Sequence, residues 1–344
     1  MSRDAPSTAP PRLASVPAFP SVAMKLMSLL ADEESSASII AACVAADAAI
    51  SGRLIKRANA ADQPRYCETR EVLQAVVALG FERTREISLA QATSVYASSA
   101  IKSDLWQPCW RHTLACALAA SEVARQIGIS PAEAYTAALM HDIGRLGLLA
   151  AYPAEYEEIV ARAEGRSDEL IELERERFGM DHTEAGRWLA RKWNLPESIV
   201  EVILRHHEIP TGALDQVAVA QIACRLADLF GYGVNGPSEA RDGNEIMAIL
   251  PEWVRVRLGG RLGAMQAAIA EEIGHLEASE GLPGGRPEVS VDGGESEEGR
   301  LAGESPQGLA GRRPARRWPR TAMVVAILGT IVLLACAAGL FFRT

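Results

Sequence analysis

Between about residue 13 and residue 278, apolar residues recur at intervals of three and four, and alternating patterns are nearly absent. Such a segment buries its apolar side chains as a succession of amphipathic helices, so the expected fold is all-α. In PSVAMKLMSLLAD, Val22, Leu26, Leu29 and Leu30 fall on one face, and SASIIAACVAAD and AAISGRLIKRANAA follow after short polar breaks. Asp47 and Asn59 read as helix-end and turn residues. REVLQAVVALG closes on Gly80 as a C-cap glycine, and ERTREISLAQATSVYASSA opens the next helix. A polar stretch at 98–109 marks a sub-boundary between a helical half at 12–98 and a second at 104–235, with a helical extension at 236–278.

The ends of the chain read differently. Residues 1–11 lack the apolar core of a secretion signal and form a short disordered lead-in. Residues 279–320 are rich in Gly, Pro, Glu and Ser with no apolar period, the composition of a disordered, flexible linker spanning about 35 Å as a random coil. Residues 321–342 then run for 22 positions without a charge, about 33 Å as a helix, which matches a bilayer's hydrocarbon thickness. Arg312, Arg313, Arg316, Arg317 and Arg320 precede this run and only Arg343 follows it. The positive-inside rule therefore predicts a single-pass, tail-anchored protein of the cytoplasmic membrane, with its folded part facing the cytoplasm. Ala335 and Gly339 form a small-xxx-small pair that suits contact between two copies, a homodimer. A formal charge of −9 argues against direct nucleic-acid binding. The six cysteines form no CxxC pair and read as small buried apolar residues in a reducing compartment.

All six histidines lie beyond residue 100: His112, His141, His182, His206, His207 and His275. His141 and Asp142 adjoin in AALMHDIGRLGLLA, and Asp228 interrupts an apolar helix in CRLADLFGYG, where a carboxylate needs a reason. Imidazoles and carboxylates are the usual ligands of divalent transition metals. Neighbours on a helix diverge by about 100°, so His141 and Asp142 share one ion only at a bent or terminal position, for which Gly144 is the candidate cause. The competing reading is a buried hydrogen-bonded cluster. His182 follows Asp181 in a D-x-x-E capping box with Glu184, and His206 and His207 end a helix where a ring can serve free carbonyls. His275 reads as a surface residue, Trp188 and Trp193 as core, and Arg53, Lys56 and Arg57 as a solvated basic face.

The ordered set His112, His141-Asp142 and Asp228 resembles the ligand pattern of the HD superfamily of metal-dependent phosphohydrolases, which is all-helical. The resemblance makes His112, His141, Asp142 and Asp228 metal ligands and matches His182, His206 and His207 to the extra histidines of two-metal members. It is closer still to the HDOD (HD-related output domain) branch. VPAFPSVAMKLMSLLADEESSASIIAACVAADAAISGRLIKRANAAD carries Asp47, Leu54, Ala58 and Asn59 on its motif, and AVVALGFERTREI, CWRHTLACALAASEVA, AALMHDIGRLGLL and ERERFGMDHTEAGRWLARKWNLPESIVEVILRHHE continue it in order over about 12–235. Arg145 stands where catalytic relatives commonly carry lysine. EIPTGALDQV after His207 lacks the Gly-Tyr-Pro element of cyclic di-GMP phosphodiesterases, which disfavours that substrate.

The resemblance implies an HD-like helical bundle acting as a bacterial signal-transduction output protein, through binding of an unidentified signalling protein or a ligand. The alternative it carries is a phosphohydrolase using Mn, Fe, Ni or Mg on a nucleotide or other phosphoester, with Arg145 contacting phosphate.

Overall fold

Side-chain caps set where many of the helices begin. In a computed structural model of the protein, the described residues are 11–31, 34–60, 69–163, 166–210, 214–234 and 252–280. They form fifteen helices: α1 Pro11–Ala14, α2 Ser21–Ala31, α3 Ala37–Val44, α4 Ala48–Ala58, α5 Val72–Ala100, α6 Trp106–Ile127, α7 Pro131–Met140, α8 Ile143–Ala151, α9 Pro153–Ala163, α10 Ser167–Phe178, α11 His182–Lys192, α12 Glu197–Arg205, α13 Gln216–Leu229, α14 Glu252–Gly259 and α15 Leu262–Glu280. No strand occurs among the described residues. The Asp47 carboxylate accepts from the backbone N–H groups of Ala49 and Ile50 at 2.9 and 3.0 Å. Ser130 caps α7, with Pro131 supplying the preset φ of a first turn. Asn59 ends α4 and ties it to Thr69, donating to its carbonyl at 2.6 Å and accepting from its N–H at 2.9 Å. Both residues thus serve as the helix-end and turn groups expected.

Gly80 lies inside the span of α5 with φ 76 and ψ 170, a break between two helical runs. Only glycine adopts that backbone readily. In α2 the buried face is centred on Ala23, Leu26 and Met27, with Val22, Leu29 and Leu30 packed at its edges. The 98–109 stretch contains the break between α5 and α6, yet the core runs across it. Phe19 and Tyr96 from the first half meet Trp193 from the second, with ring centroids 5.5, 6.3 and 6.0 Å apart. Helix α6 is the central element, packed on α7 and α13, while α8 lies along α11.

The C-terminal extension closes over α4, α5 and α6. Ion pairs join Arg83 to Glu272 and Arg111 to Glu277, and Leu258, Met265, Ile269, Ile273 and Leu276 turn inward. Arg53 corrects the reading of a solvated basic face. It is buried, donating through Nε to Gln91 at 2.7 Å and through Nη1 to the carbonyl of Leu276 at 3.1 Å. Lys56 remains exposed, as does His275 beside Glu271.

Among the described residues no helix is long and apolar enough to cross a membrane. The proposed span 321–342, residues 1–10 and 281–320 lie outside the described residues; Ser279 and Glu280, assigned above to the linker, instead end α15. Cys43, Cys109, Cys116 and Cys224 are buried thiols without disulfides.

Candidate metal centre

The apolar run that holds the His-Asp pair is two helices, not one. Helix α7 stops at Met140; His141 is its C-cap, and Asp142, with φ −107 and ψ 20, opens α8. This is the terminal position at which adjacent side chains can face one ion. Gly144 serves the packing of this junction. It lies in the first turn of α8, where a methyl group would collide with the carbonyl oxygen of His182 and the backbone nitrogen of Gly186. The missing side chain lets α8 seat against α11, which brings His182 up to Asp142.

Three polar atoms converge there without partners. His141 donates through Nδ1 to the carbonyl of Ala138 at 2.5 Å, and His206 through Nδ1 to that of Ile203 at 2.8 Å. Each ring then presents Nε2 as a bare lone pair. Both Nε2 atoms and Oδ1 of Asp142 are buried without a hydrogen-bond partner. Ligand atoms of these three residues lie within 4.8 Å of one another, and the His141 and His206 ring centroids are 4.7 Å apart. Two lone pairs and a carboxylate oxygen facing each other repel unless a cation or proton stands between them. The residues present therefore fit a divalent metal. Burial pushes the His206 ring down to about 3, with His141 adding to the shift, so it stays neutral, the form that ligates.

Beside this trio lies a polar network with its own partners. Arg145 donates through Nε to Oδ2 of Asp142 at 2.6 Å and through Nη1 to the Tyr156 hydroxyl at 3.3 Å; its Nη2 lies 3.4 Å from Nε2 of His182. Burial raises the Asp142 carboxyl, but Arg145 first, then His182, His141 and His206, reverse this and hold it well below the usual range. Glu174, fully buried on α10, accepts from the backbone N–H of His182 at 2.8 Å and meets its Nδ1 at 2.6 Å. Tyr156 donates to the same carboxylate. His182 and His207 approach each other through Nε2 at 2.8 Å, and burial, with His206 and His182, depresses His207. The expected capping box is present: Asp181 accepts from the N–H groups of Thr183 and Glu184 at 2.9 and 3.0 Å, and Glu184 accepts from that of Asp181 at 3.2 Å.

On the other side of His141 stands His112, one helical turn before Cys116 on α6. Its Nδ1 donates to the carbonyl of Tyr232 at 3.0 Å and lies 3.5 Å from Asp228. Asp228 thus stands behind His112, at the Nδ1 edge, while Nε2 faces inward. Two sulfurs approach that inner atom, Cys116 and Cys224, each at 3.5 Å. Burial lowers His112, but Cys224 and Asp228 raise it to about 9. The Cys224 thiol is held well below its ordinary range by its hydrogen bond with Cys116 and, against burial, by His112.

The site residues read from sequence gather in one region: His112, His141, Asp142, Arg145, His182, His206, His207 and Asp228. Glu174, Cys116 and Cys224 were missed. Glu174 carries no local pattern tying it to His182. Each cysteine did carry a signal, being four residues from a predicted ligand, His112 before Cys116 and Asp228 after Cys224.

The helical bundle places its His-Asp pair at a helix junction among further histidines, the arrangement that the resemblance to the HD superfamily implies. The HDOD domain family matches residues 16–209, more than half of the chain, and the chain belongs to that family. An HDOD domain protein with unknown function from Geobacter sulfurreducens has a similar structure, with TM-score 0.63 and 23% identity, over 74% of this chain and 93% of that one. A Shewanella amazonensis protein, provisionally described as a phosphohydrolase, gives TM-score 0.55 and 23% identity over 76% and 92%. These likenesses establish the fold. An uncharacterized protein of Treponema pallidum (strain Nichols) is 24% identical over 228 residues, 63% of this chain; the match spans 44% of that relative's length.

Proposed function

We propose that this HDOD chain is a bacterial signal-transduction output module that works by binding a signalling protein or ligand at its surface, with a divalent metal enclosed in its interior. The observation that carries the reading is where the partnerless atoms lie. His141, Asp142 and His206 are each 1% exposed, and Arg145 occupies the second oxygen of Asp142. A catalytic metal keeps a coordination position open to substrate, whereas an enclosed one serves the fold. When bound, the ion would supply positive charge to a buried carboxylate and a partner for each of the three atoms. Arg145 orients Asp142, Glu174 holds His182 against it, and the carbonyls of Ala138 and Ile203 hold the two imidazoles in the ligating tautomer.

Residues 321–342 are proposed to anchor this module to the membrane with the folded part in the cytoplasm, supported by the uncharged run and the arginines before it. The anchor would concentrate the module near partners at the same surface.

The second reading, a metal-dependent phosphohydrolase, is favoured by the donor set itself, two imidazoles and a carboxylate. One experiment separates the two. The full chain, purified without a histidine tag, is analysed for metal per chain beside His206→Ala and Asp142→Ala, and all three are assayed on nucleotides and p-nitrophenyl phosphate. Near-stoichiometric metal in the wild type, lost in both variants and accompanied by no turnover, is the expected result. Turnover that follows metal content transfers the assignment to the hydrolase, and a folded wild type without metal removes the centre.

A further inference from the structure

We propose that His112, Cys116, His141 and Cys224 form a binding site for a thiophilic divalent cation of the zinc type. The four ligand atoms lie within 4.8 Å of one another. They come from three helices that pack together: His112 and Cys116 from one face of α6, Cys224 from α13 and His141 from the end of α7. All four residues are buried.

Two observations point to an ion. Both sulfurs approach the same nitrogen, Nε2 of His112, at 3.5 Å. That nitrogen offers one lone pair or one proton, whereas a cation among the three atoms would be shared by all. Independently, Nε2 of His141 is buried with no partner, and its lone pair belongs to the same group. The outer nitrogens are already held, His112 on the carbonyl of Tyr232 and His141 on that of Ala138, the support that ligating imidazoles normally have.

The donor chemistry selects the ion. Two sulfurs and two imidazole nitrogens suit a tetrahedral, thiophilic metal and disfavour magnesium or calcium. The enclosed position makes the ion a clamp of α6, α7 and α13. His141 has one lone pair to give, so an ion in this set and an ion on the His141, Asp142 and His206 set compete for it. The inference is therefore independent of the metal reading above and meets it only at His141.

Cobalt(II) is the probe. The metal-stripped full chain is titrated with Co2+ and its absorption recorded, beside Asp142→Asn and a Cys116→Ser, Cys224→Ser double variant, with circular dichroism to check folding. The wild type should show sulfur-to-cobalt charge-transfer bands with intense tetrahedral d–d bands. These should persist in Asp142→Asn, vanish in the double variant and be displaced by equimolar zinc. Cobalt bound without charge-transfer bands, and lost in Asp142→Asn, overturns this site and leaves the His-Asp centre standing. Charge-transfer bands that persist in Asp142→Asn support this site. No cobalt uptake by the wild type removes both. The wild-type spectrum decides for or against sulfur ligation even if the double variant misfolds.

Discussion

An imidazole enclosed among other imidazoles resists taking a proton even beside a carboxylate, and that resistance has a measurable cost in acid. The ring of His206 is pushed down to about 3 by burial and by its neighbour His141, against about 6.5 in an unfolded chain. Its folded value is depressed, so the unfolded state takes up the proton first. The associated stability is complete above about pH 6.5 and is lost as pH falls toward the folded value. In metal-stripped protein the urea midpoint should decline from about pH 6.5 downward, before ordinary carboxylates titrate. His207 shifts in the same direction, so His206→Gln should flatten the profile in part and His206→Gln with His207→Gln further. A wild-type midpoint that stays level between pH 7 and 5 would show that the folded cluster accepts protons. Bound metal should raise the midpoint but leave the decline starting near pH 6.5, because the ligating nitrogens of the folded chain are then closed to protons while the unfolded chain still takes them up.

Helices meet in this protein through glycines of two different kinds, and substitution tells them apart. At Gly80 a methyl group meets no atom within 4 Å, but the backbone sits at φ 76, so Gly80→Ala should cost about 1–3 kcal/mol through strain alone. At Gly144 the backbone is helical, and the methyl group would collide with backbone atoms of His182 and Gly186. Relieving that contact requires α8 to move from α11, carrying Asp142 with it. Both variants should lower the midpoint of thermal unfolding. Only Gly144→Ala should also weaken metal uptake, measured by titration against a chromogenic chelator; equal uptake by the two would mean that the seat of α8 does not position Asp142. Gly80 was legible as a stop because a helix-ending glycine is a local signal. The role of Gly144 was not, since the collision is with a segment some forty residues away and no periodicity records it. The same division holds across the site. The capping box at Asp181 and the spacing of the histidines could be read from neighbouring residues. The pairing of Glu174 with His182, and the approach of Cys116 and Cys224 to one nitrogen, exist only once α6, α10, α11 and α13 have packed.

At the scale of the whole molecule, the family match ends at residue 209, yet the folded body continues to α15. That helix reaches the metal centre indirectly. Glu277 pairs with Arg111, the residue before His112, and Glu272 pairs with Arg83. Its apolar residues Met265, Ile269, Ile273 and Leu276 are buried. A chain ending after Glu280 keeps these contacts and all the candidate ligands, whereas a chain ending after Leu250 uncovers the surface those residues pack on and leaves Arg111 without Glu277. The shorter chain should therefore unfold at clearly lower temperature and bind less metal than the longer one. Membrane association should follow the opposite boundary. If 321–342 is the anchor, the full chain floats with vesicles in a density gradient, and the chain ending after Glu280 stays at the bottom with its fold and metal intact. Flotation of that truncated chain would place the attachment in the helical body and refute the anchor; a full chain that stays at the bottom would refute it as well. The proposed anchor and the body are thus separable by one cut, and the position of that cut relative to α15 decides whether the candidate metal centre survives it.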